Sequence, residues 1–179
     1  MRRVAVTDGM SNEAVKKLEQ AGCEVVEEFI EHDALISGAL ADFDAIIVRS
    51  ATKISKEMLQ KSQPRLKVVV RAGVGVDNID ISAASELGLP VVNAPRASTQ
   101  SVVELTVGHL LGSLRFIPRA DRSLRSGEWA KKELKGTELF GKRLGLIGFG
   151  RIAQGVARVA QSFGMDVPSY DPYLPLSVA

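Results

Sequence analysis

Over residues 1–93, short β-branched runs alternate with stretches whose apolar residues recur every three or four positions. The first pattern predicts strands over 4–7, 24–27, 45–49, 67–71 and 90–93. The second predicts helices over 13–21, 32–40, 55–61 and 81–87. In the first helix Val15 and Leu18 share a face, and Gly22 and Gly88 are natural helix stops. The runs Ala45-Ile46-Ile47-Val48 and Val68-Val69-Val70 are apolar without alternation, as strands covered on both faces are. Strands alternating with helices over short connections predict an α/β domain with a parallel sheet between two layers of helices.

Ala94-Pro95-Arg96-Ala97 breaks this rhythm and reads as a linker, dividing the chain into 1–97 and 98–179. Ser101-Val102-Val103-Glu104 has the form of a capping box near the start of a long helix over 99–116. Val102, Val103, Leu105, Val107, Leu110, Leu111, Leu114 and Ile117 cover most of its circumference. That predicts a helix buried between domains or subunits, limited by Pro118. His109 on this helix reads as a core histidine, and Trp129 beyond it as a packing residue. A charged helical stretch over 119–125 and a polar run over 131–138 follow.

The third pattern is Arg143-Leu144-Gly145-Leu146-Ile147-Gly148-Phe149-Gly150-Arg151-Ile152-Ala153. A short buried strand enters a glycine turn and then a helix whose apolar face is Ile152, Val156, Val159, Ala160 and Phe163. A further apolar segment over 165–170 ends at Asp171. Gly148 permits the tight turn, Gly150 lets backbone approach a pyrophosphate, and Ala153 lets helix and strand pack closely. The helix N-terminus offers unpaired N–H groups to phosphate. Asp171 lies 18 residues beyond Ala153, where an acid that binds a ribose 2′-hydroxyl is expected. The same residues could form an ordinary strand–turn–helix corner. The strand before, the helix after and the acid at this distance together favour a dinucleotide site.

Charge and composition narrow the function. With 23 basic and 21 acidic residues the net charge is +2, which gives no electrostatic case for nucleic acid. The single Cys23 excludes an internal disulfide and a multi-cysteine metal site. No run approaches the ~18 apolar residues of a membrane span, and the cytoplasm is the expected location. No catalytic Ser/His/Asp, Cys/His or carboxylate cluster can be assembled, and His32 reads as solvated. Two predicted strands do end on arginine, at Arg49 and Arg71, where parallel sheets bind ligands. With Lys53, and with backbone N–H groups at Gly73 and Gly75, they could clamp an anion. Spacing alone serves equally well for two surface salt bridges.

Several motifs, taken together, resemble a known family. They are Val48-Arg49-Ser50-Ala51-Thr52-Lys53, Arg71-Ala72-Gly73-Val74-Gly75-Val76-Asp77-Asn78, Asn93-Ala94-Pro95, Glu104-Leu105-Thr106, Gly136-Thr137-Glu138-Leu139 and Gly141-Lys142. Gly145 to Ile152 and Tyr170-Asp171-Pro172 complete the set. The order and spacing resemble the D-3-phosphoglycerate dehydrogenase branch of the NAD-dependent D-2-hydroxyacid dehydrogenases. The resemblance implies a flavodoxin-like substrate domain over 1–97, then the first part of a Rossmann NAD-binding domain. It implies oxidation of 3-phosphoglycerate to 3-phosphohydroxypyruvate, for serine synthesis, in the full-length protein. Arg49, Arg71, Gly73 and Val74 would then meet the substrate. Val74, Gly148, Gly150, Arg151, Ile152 and Asp171 would meet NAD, with the acid disfavouring NADP. A homodimer contact through the long helix and the segment around Trp129 is also implied, with no nucleic-acid or membrane partner.

Ala153 stands where many members have glycine, Val74 where some have threonine, and Val70 where glycine is common. The family's catalytic arginine, glutamate and histidine fall beyond residue 179. No catalytic residue is therefore assigned, no metal site is expected, and the 179-residue chain alone is expected to be inactive. The alternatives are a non-catalytic regulatory or dimerisation partner, and a dehydrogenase for another D-2-hydroxy acid.

Overall fold

The computed structural model describes residues 1–174. The chain divides into two compact units, Met1–Ala97 and Ser98–Ala179. In the first, five strands, β1 (Arg2–Val6), β2 (Cys23–Glu27), β3 (Ala45–Val48), β4 (Val68–Arg71) and β5 (Val91–Asn93), form one parallel sheet. Its order is β2-β1-β3-β4-β5, that of a flavodoxin-like doubly wound sheet, with its switch point between β1 and β3.

Four helices join the strands: α1 (Asn12–Gln20), α2 (His32–Ile36), α3 (Lys56–Lys61) and α4 (Ile81–Glu86). Side chains alternate across the pleat. Ala5, Ile46, Val48 and Val69 pack with Leu35, Met58, Leu59, Ala83 and Ala84 from α2, α3 and α4. Val4, Val6 and Ile47 point to the other face, with Leu18 of α1. Both faces are thus apolar, which explains the unalternating strand sequences. Burying a side chain such as Ile46 or Leu59 contributes about 1.5–3 kcal/mol. Ser11, Ser55 and Asp80 cap α1, α3 and α4 by accepting the N–H groups of Ala14, Met58 and Ala83. The predicted helix over 32–40 stops early at Ile36. Ser37 turns its hydroxyl back to the carbonyl of Asp33, and Gly38 takes φ +100°, so the chain leaves the helix there.

The second unit holds α5 (Thr99–Leu114), α6 (Ile117–Arg125), a 3-10 turn (Lys131–Glu133), β6 (Leu146–Ile147), α7 (Arg151–Ser162) and β7 (Ser169–Tyr170). β6 and β7 are parallel, with Leu146 opposite Ser169. Regular pairing is shorter than the predicted 165–170 segment because Pro168 has no N–H to donate. A separate bridge joins Arg143 to Asp166 on its far side. Leu139, Ala160 and Met165 form the core, with Leu110, Leu111 and Leu114 of α5 against it.

Two expectations about α5 fail. Ser98, not Ser101, is its N-cap and makes no side-chain cap bond, so the capping box does not form. Within this unit α7 covers one face of α5, where Val103 is fully buried, and the other apolar positions are partly or wholly exposed. His109 is exposed rather than a core histidine. The crossing with α7 is set by Gly155: a Cβ there would lie 2.5 Å from Val103 Cγ2. Close helix packing thus rests on Gly155, a position to which sequence gave no role.

Gly155→Ala is expected to destabilise the second unit by about 1–3 kcal/mol through overpacking. Gly108→Ala, on α5 with nothing within 4 Å of its added Cβ, is expected to stabilise it by up to about 1 kcal/mol. Urea titrations followed through amide signals of 98–174 check both signs.

Candidate substrate and cofactor sites

The carboxyl ends of β1, β3 and β4 converge in the first unit. Asp8 follows β1 and accepts four polar contacts. Its Oδ2 takes the N–H groups of Arg49 at 2.6 Å and Thr52 at 3.1 Å. Its Oδ1 takes the Thr52 hydroxyl at 2.5 Å and lies 3.4 Å from that of Thr7. From beyond β4, the side-chain amide of Asn78 donates to the carbonyls of Arg49 at 2.8 Å and Thr52 at 2.6 Å. A backbone bridge between Ile54 and Ile79 continues this tie. The turn that carries Arg49 is therefore held by its main chain, leaving the arginine side chain free to meet a ligand.

Arg49 is exposed and borders a cavity of about 580 Å³ with Asp8, Gly9, Met10, Ser11, Ala14 and Ala72. This cavity lies at the β1/β3 switch point, where doubly wound sheets bind ligands. Arg71 sits directly opposite Val48, one residue deeper than Arg49. Its guanidinium turns into its own loop, where Nη1 donates to the carbonyl of Gly75 and faces Asp77. The Gly73 N–H is taken by the carbonyl of Arg71 at 2.8 Å, so it is not the free anion donor the sequence suggested. Val74 is exposed, and its carbonyl accepts from the side chain of Asn93 at 2.6 Å. Lys53 borders a separate cleft of about 120 Å³ with Phe29, Ile30 and His32. Arg49 and Arg71 thus flank one sheet end, with Arg49 on the switch-point cavity, Arg71 turned into its own loop and Lys53 on a separate cleft.

In the second unit, Gly148 takes φ +86° after β6, a conformation that favours glycine. Its N–H donates to the carbonyl of Tyr170 at 2.7 Å. Asp171, just past β7, accepts the N–H of Phe149 at 2.8 Å and that of Tyr173 at 2.9 Å. Those two donors hold its carboxyl below the usual range, so it is ionised at neutral pH. Gly150 is the N-cap of α7 and has no side chain to satisfy the first-turn N–H groups. An added Cβ there would meet nothing within 4 Å, so the space before the helix is open. Arg151 is exposed and Ile152 half-buried beside it. Uncapped amides, a bare glycine and a fixed carboxylate are the groups a dinucleotide needs: N–H donors for pyrophosphate and an acceptor for ribose hydroxyls.

Asp8, Thr52, Asn78 and Asp77 were not singled out by the sequence. Asp8 and Asn78 follow strands at the same sheet edge as the arginines, and that placement was the available signal. Trp129 is not packed within this unit: it is 76% exposed and borders an apolar cavity of about 390 Å³ with Ala120, Leu124 and Leu134. Among the described residues no cluster of metal-binding side chains exists, and no helix is long and apolar enough to cross a membrane.

Burial pushes the Asp8 carboxyl up, but bonds from Thr52, Arg49 and Thr7 outweigh it and hold it below its ordinary 3.8. Its stabilising effect is therefore complete above the unfolded value and lost as pH falls through the lower folded one. Amide protection at Arg49 and Thr52 is expected to fade in that acid window. Asp8→Asn should lose about 1–3 kcal/mol of stability at neutral pH, measured by thermal unfolding.

Residues 4–168 match the model of the D-isomer specific 2-hydroxyacid dehydrogenase catalytic domain. The chain is 48% identical to the D-3-phosphoglycerate dehydrogenase of Methanocaldococcus jannaschii over all of its own length and 34% of that enzyme's. It is 46% identical to the hydroxypyruvate reductase of Thermotoga maritima, over 97% of this chain and 56% of that one. The NAD+-bound 3-phosphoglycerate dehydrogenase of Entamoeba histolytica superposes with a TM-score of 0.76 at 33% identity, covering 97% of this chain and 55% of that one. The chain therefore spans about a third of the length of the first relative and a little over half of the other two. A family match over most of its residues, on a doubly wound sheet with arginines at its carboxyl edge, means that the chain belongs to the D-2-hydroxyacid dehydrogenases.

Proposed function

We propose that these residues supply the substrate domain and the opening of the NAD-binding domain of a cytoplasmic D-3-phosphoglycerate dehydrogenase. The observation that carries the cofactor half is the ionised Asp171 fixed against the glycine turn. NAD, when bound, accepts the hydride released from C2 of the substrate. The chain's own residues bind and orient. Gly150 and the α7 amides receive pyrophosphate, with Arg151 and Ile152 beside it. Asp171 accepts ribose hydroxyls with the lone pairs its two amide bonds leave free, and its charge repels a 2′-phosphate.

Arg49 and Arg71 supply positive charge for the carboxylate and phosphate of 3-phosphoglycerate. The near relative named hydroxypyruvate reductase sets the competing substrate. The reading frame that contains this chain, expressed whole, is expected to oxidise NADH with 3-phosphohydroxypyruvate faster than with hydroxypyruvate. The reverse order would assign the unphosphorylated substrate.

Asp171→Asn is expected to weaken NAD and strengthen NADP, shifting the ratio of their kcat/KM values by about tenfold or more. Parallel titrations of the two cofactors in the same whole protein read this directly. An unchanged ratio would remove Asp171 from the ribose site.

A homodimer through the second unit completes the reading. Leu105, Ile117, Leu124, Trp129 and Phe140 are all exposed there, apolar side chains that a partner subunit would cover. Trp129→Arg is expected to convert a dimer to a monomer in light scattering.

A further inference from the structure

The Arg71 side chain is only 13% exposed, and its own loop wraps it. Its Nη1 donates to the carbonyl of Gly75. Its Nε is buried with no hydrogen-bond partner among the described residues. A Cβ on Gly73 would lie 3.3 Å from Nε and 3.5 Å from Nη2, so that edge of the guanidinium is roofed by a bare glycine. A Cβ on Gly75 would lie 2.8 Å from Asp77 Oδ1, so that glycine is what lets Asp77 swing in.

Asp77 is the anion nearest this half-dried cation, and the fit is poor. Its Oδ1 stands 3.7 Å from Nη1, beyond hydrogen-bond range, and its side chain is 90% exposed. No hydrogen bond to its carboxylate exists among the described residues. A buried guanidinium needs a counter-charge and filled donors. Asp77 gives the charge without filling the donors, so a better acceptor can displace it.

We propose that Asp77 is a placeholder for the substrate's anionic group, and so a specificity-determining residue. In the free protein it neutralises Arg71. A ligand carboxylate or phosphate takes its place beside Nη1 and releases Asp77 to solvent. Every anion must compete with Asp77, so a ligand with one strong bidentate group gains over a weakly charged one. This rests on the reading of Arg71 as a substrate anchor.

The test is titration of 3-phosphoglycerate, and separately inorganic phosphate, into the 179-residue chain, followed through the Gly73 and Gly75 amide signals. Four variants accompany the unsubstituted protein: Arg71→Ala, Asp77→Asn, Asp77→Ser and, as a control for net charge, the exposed Asp42→Asn. Arg71→Ala should abolish saturable binding. Both Asp77 variants should bind 3-phosphoglycerate about two- to fivefold tighter, the range an exposed ion pair supplies, while Asp42→Asn stays unchanged. Tighter binding after removal of a loop residue is the opposite of what a merely structural role gives.

Equal or weaker binding by the Asp77 variants overturns the placeholder and leaves Arg71 as anchor. An equal gain with Asp42→Asn reduces the effect to net charge and also overturns it. Unchanged binding by Arg71→Ala, or none by the unsubstituted chain, overturns the anchor reading and the placeholder together.

Discussion

Both sites depend on one device: a carboxylate at the end of a strand that accepts backbone N–H groups from the loop after a neighbouring strand. Parallel strands end with unpaired main-chain donors, and a loop that leaves them unfilled is not held in place. Asp8 fills those of Arg49 and Thr52. Asp171 fills that of Phe149 after the neighbouring strand and, within its own turn, that of Tyr173. A charged acceptor makes these bonds stronger than neutral ones. The loops that would meet ligands are thereby fixed by their backbones, and their side chains stay available.

The device also separates two arginines that look equivalent in sequence. Arg49 belongs to a turn whose backbone is tied from both sides, by Asp8 and by Asn78, and its side chain opens on the switch-point cavity. Arg71 belongs to a loop with no such carboxylate, and its guanidinium supplies the missing partner by reaching the Gly75 carbonyl. One arginine is free because its loop is held by others. The other is occupied because it holds its own loop.

Much of this was legible in sequence. Apolar runs with no alternation identify strands buried on both faces, and the observed core uses both faces. The arginines at the ends of β3 and β4 and the glycine turn at Gly148 follow from position alone. The rest depends on what packs where. The apolar circumference of α5 predicts burial, but which neighbour covers each side is not written in the helix, and α7 covers one. The Ser101-to-Glu104 spacing fits a capping box, but the helix begins at Thr99, which places both residues inside it. The reach of Arg71 back to Gly75 and Asp77 is a rotamer choice across a loop, and no periodicity records it.

The second unit shows why a local tie matters most where the sheet is thin. A pair of two-residue strands contributes little stability by itself. Ile147, on one of them, is 95% exposed and adds nothing to the core. The order of this unit rests instead on helix packing, with Gly155 letting α7 approach Val103. Packing of that kind fixes the body of α7 but not the turn before it. The turn is fixed by Asp171 on the Phe149 N–H, by Tyr170 on the Gly148 N–H, and by Gln154 reaching back to the Phe149 carbonyl. The carboxylate suited to receive ribose is therefore also what shapes the phosphate turn. Removing its charge would alter both ends of the nucleotide site at once, through one side chain.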